Sequence, residues 1–96
     1  MVLEVITPDQ MLFKGNVSHV VLPGLDGSFG VLSNHAPMIS ALTEGEMKVD
    51  QVVEENKGDE FSGKYNEEYK NDASFTFNIK GGVVEVKDDK IMVLAE

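Results

Sequence analysis

The chain has 96 residues, about the size of one small domain, and its 42% hydrophobic and 26% charged residues are a globular balance rather than that of a disordered tail. Seventeen acids oppose eight bases, every one of them lysine, for a formal charge of −9; binding nucleic-acid phosphate or anionic lipid through bulk charge is excluded. Cysteine is absent, which removes disulfides, thiolate chemistry and cysteine-ligated metals together.

The amino-terminal run MVLEVITPDQ has no basic segment leading into a long apolar stretch. No window approaches the roughly 20 apolar residues a membrane-spanning helix needs. The expectation is a soluble protein without a leader, working where it is made. Nine glycines and three prolines interrupt most windows before a helix is established. Val2 to Ile6 reads as a β-branched strand stopped by Thr7-Pro8-Asp9. Val17 to Leu22 is a second strand, closed by Pro23-Gly24, and Phe29 to Leu32 a third, between Gly27-Ser28 and Ser33-Asn34. Near residue 50 two patterns compete: Val49, Val52 and Val53 fit a helical stripe, whereas Met47, Val49 and Gln51 alternate as a strand does. Tyr65 and Tyr69 stand four apart, with Lys64 and Glu68 placed as a helical pair, but the run is too short and polar to assign a helix. Phe75, Phe77 and Ile79 alternate with Thr76, Asn78 and Lys80, a half-buried strand. After Gly81-Gly82, Val83 to Lys87 and Lys90 to Leu94 flank Asp88-Asp89, a hairpin. Short strands at this spacing predict an all-β sandwich or barrel.

Asp50 to Asp72 differs in composition, with eight acids against three lysines and few aliphatic residues after Val53. That predicts a solvated loop or extended hairpin over about 50–74, removable from Val53 to Ala73 without unfolding the rest. Candidate chemistry is sparse. His35, in Ser33-Asn34-His35-Ala36-Pro37, is a loop residue available as a base, and His19 alternates with Val17 and Val21 as a partly buried strand residue. Neither lies in a carboxylate cluster with metal-ligand spacing. Asp26 and Asp88-Asp89 read as turn formers outside any calcium-loop pattern. Gly24-Leu25-Asp26-Gly27-Ser28-Phe29-Gly30 lacks the lysine of a phosphate-binding loop and reads as a tight turn. No catalytic, metal or nucleotide-binding residue is expected, and no cofactor.

Residue by residue, parts of the chain resemble the epsilon subunit of F-type ATP synthases. The match runs through Leu3-Glu4-Val5-Ile6-Thr7-Pro8-Asp9, Leu12-Phe13-Lys14-Gly15, Val20-Val21-Leu22-Pro23-Gly24, Asp26-Gly27-Ser28-Phe29-Gly30-Val31-Leu32 and Asn34-His35-Ala36-Pro37-Met38. It resumes at Ile79-Lys80-Gly81-Gly82-Val83-Val84-Glu85-Val86 and Lys90-Ile91-Met92-Val93-Leu94-Ala95, so that Gly24, Gly30, Pro37, Gly81 and Gly82 form its structural motif. The resemblance implies a flattened ten-stranded β-sandwich spanning 1–96, a non-catalytic rotor subunit of the central stalk that docks on gamma and on the c-ring and couples proton flow to ATP synthesis. Asp26, Gly27, Ser28 and Phe29 match the c-ring-facing loop; His35, Met38 and Ser40 match the gamma-facing segment, with Met38 and Ile39 as apolar contacts. It further implies a monomer when isolated, on the cytoplasmic face of the bacterial inner membrane, without lipid insertion. Three departures stand out. The chain ends at Glu96 without the family's carboxy-terminal helical domain, so ATP sensing and inhibition do not carry over. The 50–74 segment is longer and more acidic than the family's hairpin. Ser28 stands where some relatives carry an acid. The competing reading is a free-standing sandwich binding a peptide or carbohydrate, which needs an exposed aromatic platform; only Tyr65 and Tyr69 are candidates.

Overall fold

One strand organises the molecule. The computed structural model describes residues 1–56 and 62–96. Its longest element, β2 (Met11–Gly24), is 14 residues long and belongs to two layers at once. Its first half pairs antiparallel with β1 (Val2–Ile6), which pairs in parallel with β8 (Lys90–Ala95); the ladder continues through β7 (Gly82–Lys87) to β4 (Met38–Leu42). Its second half lies between β3 (Gly27–Leu32) and β5 (Gly45–Gln51), and β6 (Ser74–Ile79) pairs with β5. The register slips between Val17 and His19, at the junction of the two halves. Such a bulge bends and twists a strand, which lets β2 turn the corner from one layer into the other. Gly24 closes the circuit by pairing with both Gly27 and Leu42. The result is flattened, 35 × 28 × 20 Å.

The core fills the space between the layers. Leu3, Val5, Val84, Val86, Ile91 and Val93 point in from the first, and Val20, Leu22, Val31, Met47 and Val49 from the second, all 2% exposed or less. Period-two alternation places them there: on β7, Val84 and Val86 are buried while Val83, Glu85 and Lys87 are exposed. At Gly82 (φ 144) a Cβ would sit 2.2 Å from the Leu94 carbonyl oxygen, so only glycine lets β7 start this close to β8.

The all-β expectation holds, and so do β1, the β6 alternation and the Asp88-Asp89 hairpin. Both aspartates adopt positive φ (53° and 59°), the conformation a two-residue turn between right-twisted strands requires. The strand count differs. Eight strands form among the described residues rather than ten, because β2 runs unbroken through both layers and the described residues between β5 and β6 form no strand.

That segment is also less solvated than its composition predicts, although Lys57, Asp59 and Glu60 lie outside the described residues. Beyond a short 3-10 turn (Val53–Glu55) comes α1 (Lys64–Glu68), a helix in place of the expected loop or hairpin. Tyr65 within it and Tyr69 just after it stack on the core, on Phe77 at 4.8 Å and on Phe75 at 4.6 Å between ring centroids. Buried amides tie the segment down. The Asn56 side chain accepts from the Asn16 N–H and donates to the Asn16 carbonyl and to Gln51 Oε1. Gln51 Nε2 donates to the Tyr69 and Asp72 carbonyls at 2.7 and 2.6 Å. Ser62 forms a two-way backbone bridge with Lys14. Together these cover the edge of β2 that β1 leaves open, doing for that edge what a neighbouring strand would.

Candidate docking surface

The sequence-predicted residues fall into two groups. Asp26, Gly27 and Ser28 are exposed at the β2–β3 turn, beside Leu25, the turn's most exposed apolar residue. Phe29 instead turns inward and packs on the core. Gly24 makes room for it: a Cβ there would lie 2.9 Å from the Phe29 ring. The second group follows β3. Asn34 takes a positive φ (64°) and donates its N–H to Asp89 Oδ1 at 3.1 Å, pinning this loop to the β7–β8 turn. His35 is half-buried, with Nδ1 2.7 Å from the Ala36 carbonyl, and Pro37 is exposed. Along β4, Met38, Ser40 and Leu42 point inward, while Ile39 and Ala41 point out. Of the two apolar residues expected to face a partner, Ile39 is exposed whereas Met38 packs on the core. Ser40 shares a hollow of about 340 Å³ with Ser28 and Phe29, so the two groups meet at one corner of the sandwich.

The described residues hold one cluster of catalytic residue types. Asp50 lies 3.4 Å from His19 Nδ1 and accepts a hydrogen bond from the Ser74 hydroxyl at 2.7 Å. The carboxylate is in the middle, so the hydroxyl donates to an acid rather than to an imidazole, unlike a nucleophile activated by a histidine base. Gly30 leaves room for the other side of the ring, since a Cβ there would fall 2.7 Å from His19 Nε2. Ser74 above all holds the Asp50 carboxyl below its usual value; burial, next in size, opposes it, and His19 and Lys48 add smaller lowering effects. Stability from this contact is present above the ordinary carboxylate range and lost as pH falls through the lowered pKa; its size is modest because the group is part-exposed. Ser74→Ala should move the Asp50 midpoint up toward that of an ordinary aspartate in a carboxyl NMR titration. An unchanged midpoint would remove the serine as the cause.

The outer faces of the two layers differ in kind. On the β3-β2-β5-β6 side, the registered rows read Leu32, His19, Asp50, Ser74 and Gly30, Val21, Lys48, Thr76, a polar surface. On the β4-β7-β8-β1 side, one row reads Ala41, Val83, Leu94, Ile6 and the next Ile39, Glu85, Met92, Glu4. Ile39, Leu94 and Val83 are 72%, 53% and 43% exposed, three of the five large apolar side chains among the described residues that stand most clear of the surface. Glu4, at the far end, lies beneath Lys90 and Lys14 (3.2 and 3.6 Å), which neutralise it. The face thus combines an apolar band with a charged margin, the composition of a protein–protein contact rather than of a solvated sheet. Sequence reading found Ile39 but not Ile6, Val83 or Leu94, which sit in apolar runs that look like core until strand register shows which way each points. Among the described residues no helix is long and apolar enough to cross a membrane.

Comparison with known proteins agrees with this architecture. Residues 1–60 match the family model described as ATP synthase, Delta/Epsilon chain, beta-sandwich domain. The ATP synthase epsilon chain of Pelotomaculum thermopropionicum is 38% identical over 93 residues, covering 97% of this chain and 55% of its own length. That of Chlorobium limicola is 32% identical over 94 residues, covering 98% of this chain and 86% of its own. The chain therefore spans little more than half the length of some epsilon relatives and most of others. Among solved structures, a chain of the Euglena gracilis mitochondrial ATP synthase OSCP/F1/c-ring assembly superposes with a TM-score of 0.71 at 20% identity, covering 97% of this chain and 48% of that one. A chain of the Tetrahymena thermophila central stalk/c-ring structure gives 0.66 at 18%, covering 99% and 62%. At those identities the likeness is one of fold. Family model and relatives together place the chain in the ATP synthase delta/epsilon β-sandwich family.

Proposed function

We propose that this chain is a non-catalytic subunit of the central stalk of an F-type ATP synthase. It docks on the gamma subunit and rests on the c-ring, so that proton flow is coupled to ATP synthesis, on the cytoplasmic face of a bacterial inner membrane. The carrying observation is the apolar band of Ala41, Val83, Leu94, Ile6 and Ile39 on a rigid sheet. A rotor adaptor has to transmit force through preformed surfaces, and a two-layer sandwich supplies them without a catalytic centre. On this reading the outer face of β4-β7-β8-β1 meets gamma. The exposed β2–β3 turn, Leu25 to Ser28, meets the polar loops of the c-ring, and the corner shared by Ser28 and Ser40 lies between the two contacts. The binding-module alternative loses its platform, because Tyr65 and Tyr69 are stacked on Phe77 and Phe75.

Calorimetric titration with isolated gamma subunit, followed by light scattering, tests the reading. The expected result is a saturable one-to-one complex. Two folded proteins that give neither heat nor a gain in mass would overturn it.

A further inference from the structure

The apolar face ends at β4, and β4 is an edge strand. It pairs with β7 along its whole length, from Met38 with Val86 to Leu42 with Gly82. On its other flank the only pairing among the described residues is that of Leu42 with Gly24. The backbone groups of Met38–Ala41 that point to this flank have no strand partner there.

Soluble proteins guard such edges with lysine, proline, a bulge or a covering segment. This molecule covers the edge of β2, using Ser62 and Asn56. At β4 none of the described residues does the same. Met-Ile-Ser-Ala-Leu has no charge and no proline, its register with β7 is unbroken, and its outward side chains Ile39 and Ala41 are apolar and exposed. The other open edges are poorer acceptors. Two of the six residues of β3 are glycine, with Gly27 at φ 121; β6 turns Ser74, Thr76 and Asn78 outward, and Ser74 is engaged by Asp50. A hollow of about 340 Å³ on this flank, beside Phe29, Ser40 and Ala41, leaves space along β4 for side chains of an added strand.

We infer that β4 is an acceptor edge, to which the docking partner adds an extended segment as one more strand of the β1-β8-β7-β4 ladder. The inference rests on the docking reading above, which makes the partner gamma. Main-chain hydrogen bonds along Met38–Ala41 hold the segment, and the side chains it turns outward extend the apolar band beyond Ile39 and Ala41. Its chemistry follows: four or five extended residues, apolar at alternate positions and free of acids, because the acceptor chain carries a charge of −9.

Amide hydrogen exchange tests it, read by NMR on isotope-labelled chain alone and saturated with unlabelled gamma. Alternate amides of Met38–Ala41, those facing the open flank, should exchange fast in the free chain and about 100-fold more slowly in the complex. The intervening amides, already bonded to β7, should change little. Uniform protection of β4 and β7, or none, in a demonstrably saturated complex would overturn strand addition and leave docking intact. Absence of any complex in the same titration would overturn the docking reading, and this inference with it.

Discussion

Deleting Val53 to Ala73 and closing the gap with a short turn will abolish cooperative unfolding. Composition argues the opposite, since the segment is acidic and poor in aliphatic residues. Packing decides the matter. Burying half the surface of two tyrosines is worth about 4–6 kcal/mol at roughly 25 cal/mol per Å², and Tyr65 and Tyr69 lie against Phe77 and Phe75. The Asn56 and Gln51 hydrogen bonds add about 1 kcal/mol each. A shorter connection returns about 1.5 kcal/mol of closure entropy. A domain of this size has roughly 5–14 kcal/mol in total, so the loss approaches the whole. Urea denaturation followed by far-ultraviolet circular dichroism checks it. A sigmoidal transition within about 1 kcal/mol of the parent would show that the segment merely lies on the surface.

The parts of the fold that local chemistry dictates were legible in the sequence. Asp88-Asp89 between two β-branched runs is a turn on any reading, and Phe75, Phe77 and Ile79 can all be buried only in a strand. What was not legible depends on partners distant in the chain. Lys14-Gly15-Asn16 looks like an interruption of β2, yet it is a strand because Glu4 and Asn56 supply the bonds its polar residues need. Met47 to Gln51 carries two periods at once, and pairing with both β2 and β6 selects the strand. Tyr65 and Tyr69 have helical spacing, but the phenyl rings that stabilise so short a helix lie on β6. The candidate site follows the same rule. In Val83-Val84 and Val93-Leu94 one neighbour is core and the other surface, and only the register across four strands separates them. The glycine motif was readable as tight geometry, whereas the apolar band, which belongs to no single segment, was not.

Leu94→Asp will weaken association with gamma by at least about 100-fold while leaving the domain folded. Leu94 lies centrally in the outward row, between Val83 and Ile6, and is half-exposed in the free chain. Its buried half contributes roughly 1–2 kcal/mol to folding at about 25 cal/mol per Å², so the variant loses some stability but stays folded. Docking would remove the remaining surface from water. Truncation of a central apolar contact costs about 2 kcal/mol or more, and a carboxylate with no partner in a dry interface raises that further. Thr76→Asp is the control. It adds the same charge to the polar face opposite, so any loss shared by both variants comes from net charge and the excess in Leu94→Asp comes from the face itself. Met38→Asp does not serve this purpose, because Met38 packs on the core and its replacement would cost folding stability before it affected docking. Calorimetric affinities for the two variants, with thermal unfolding of each, give the answer. Equal weakening by Leu94→Asp and Thr76→Asp would move the gamma contact off this sheet.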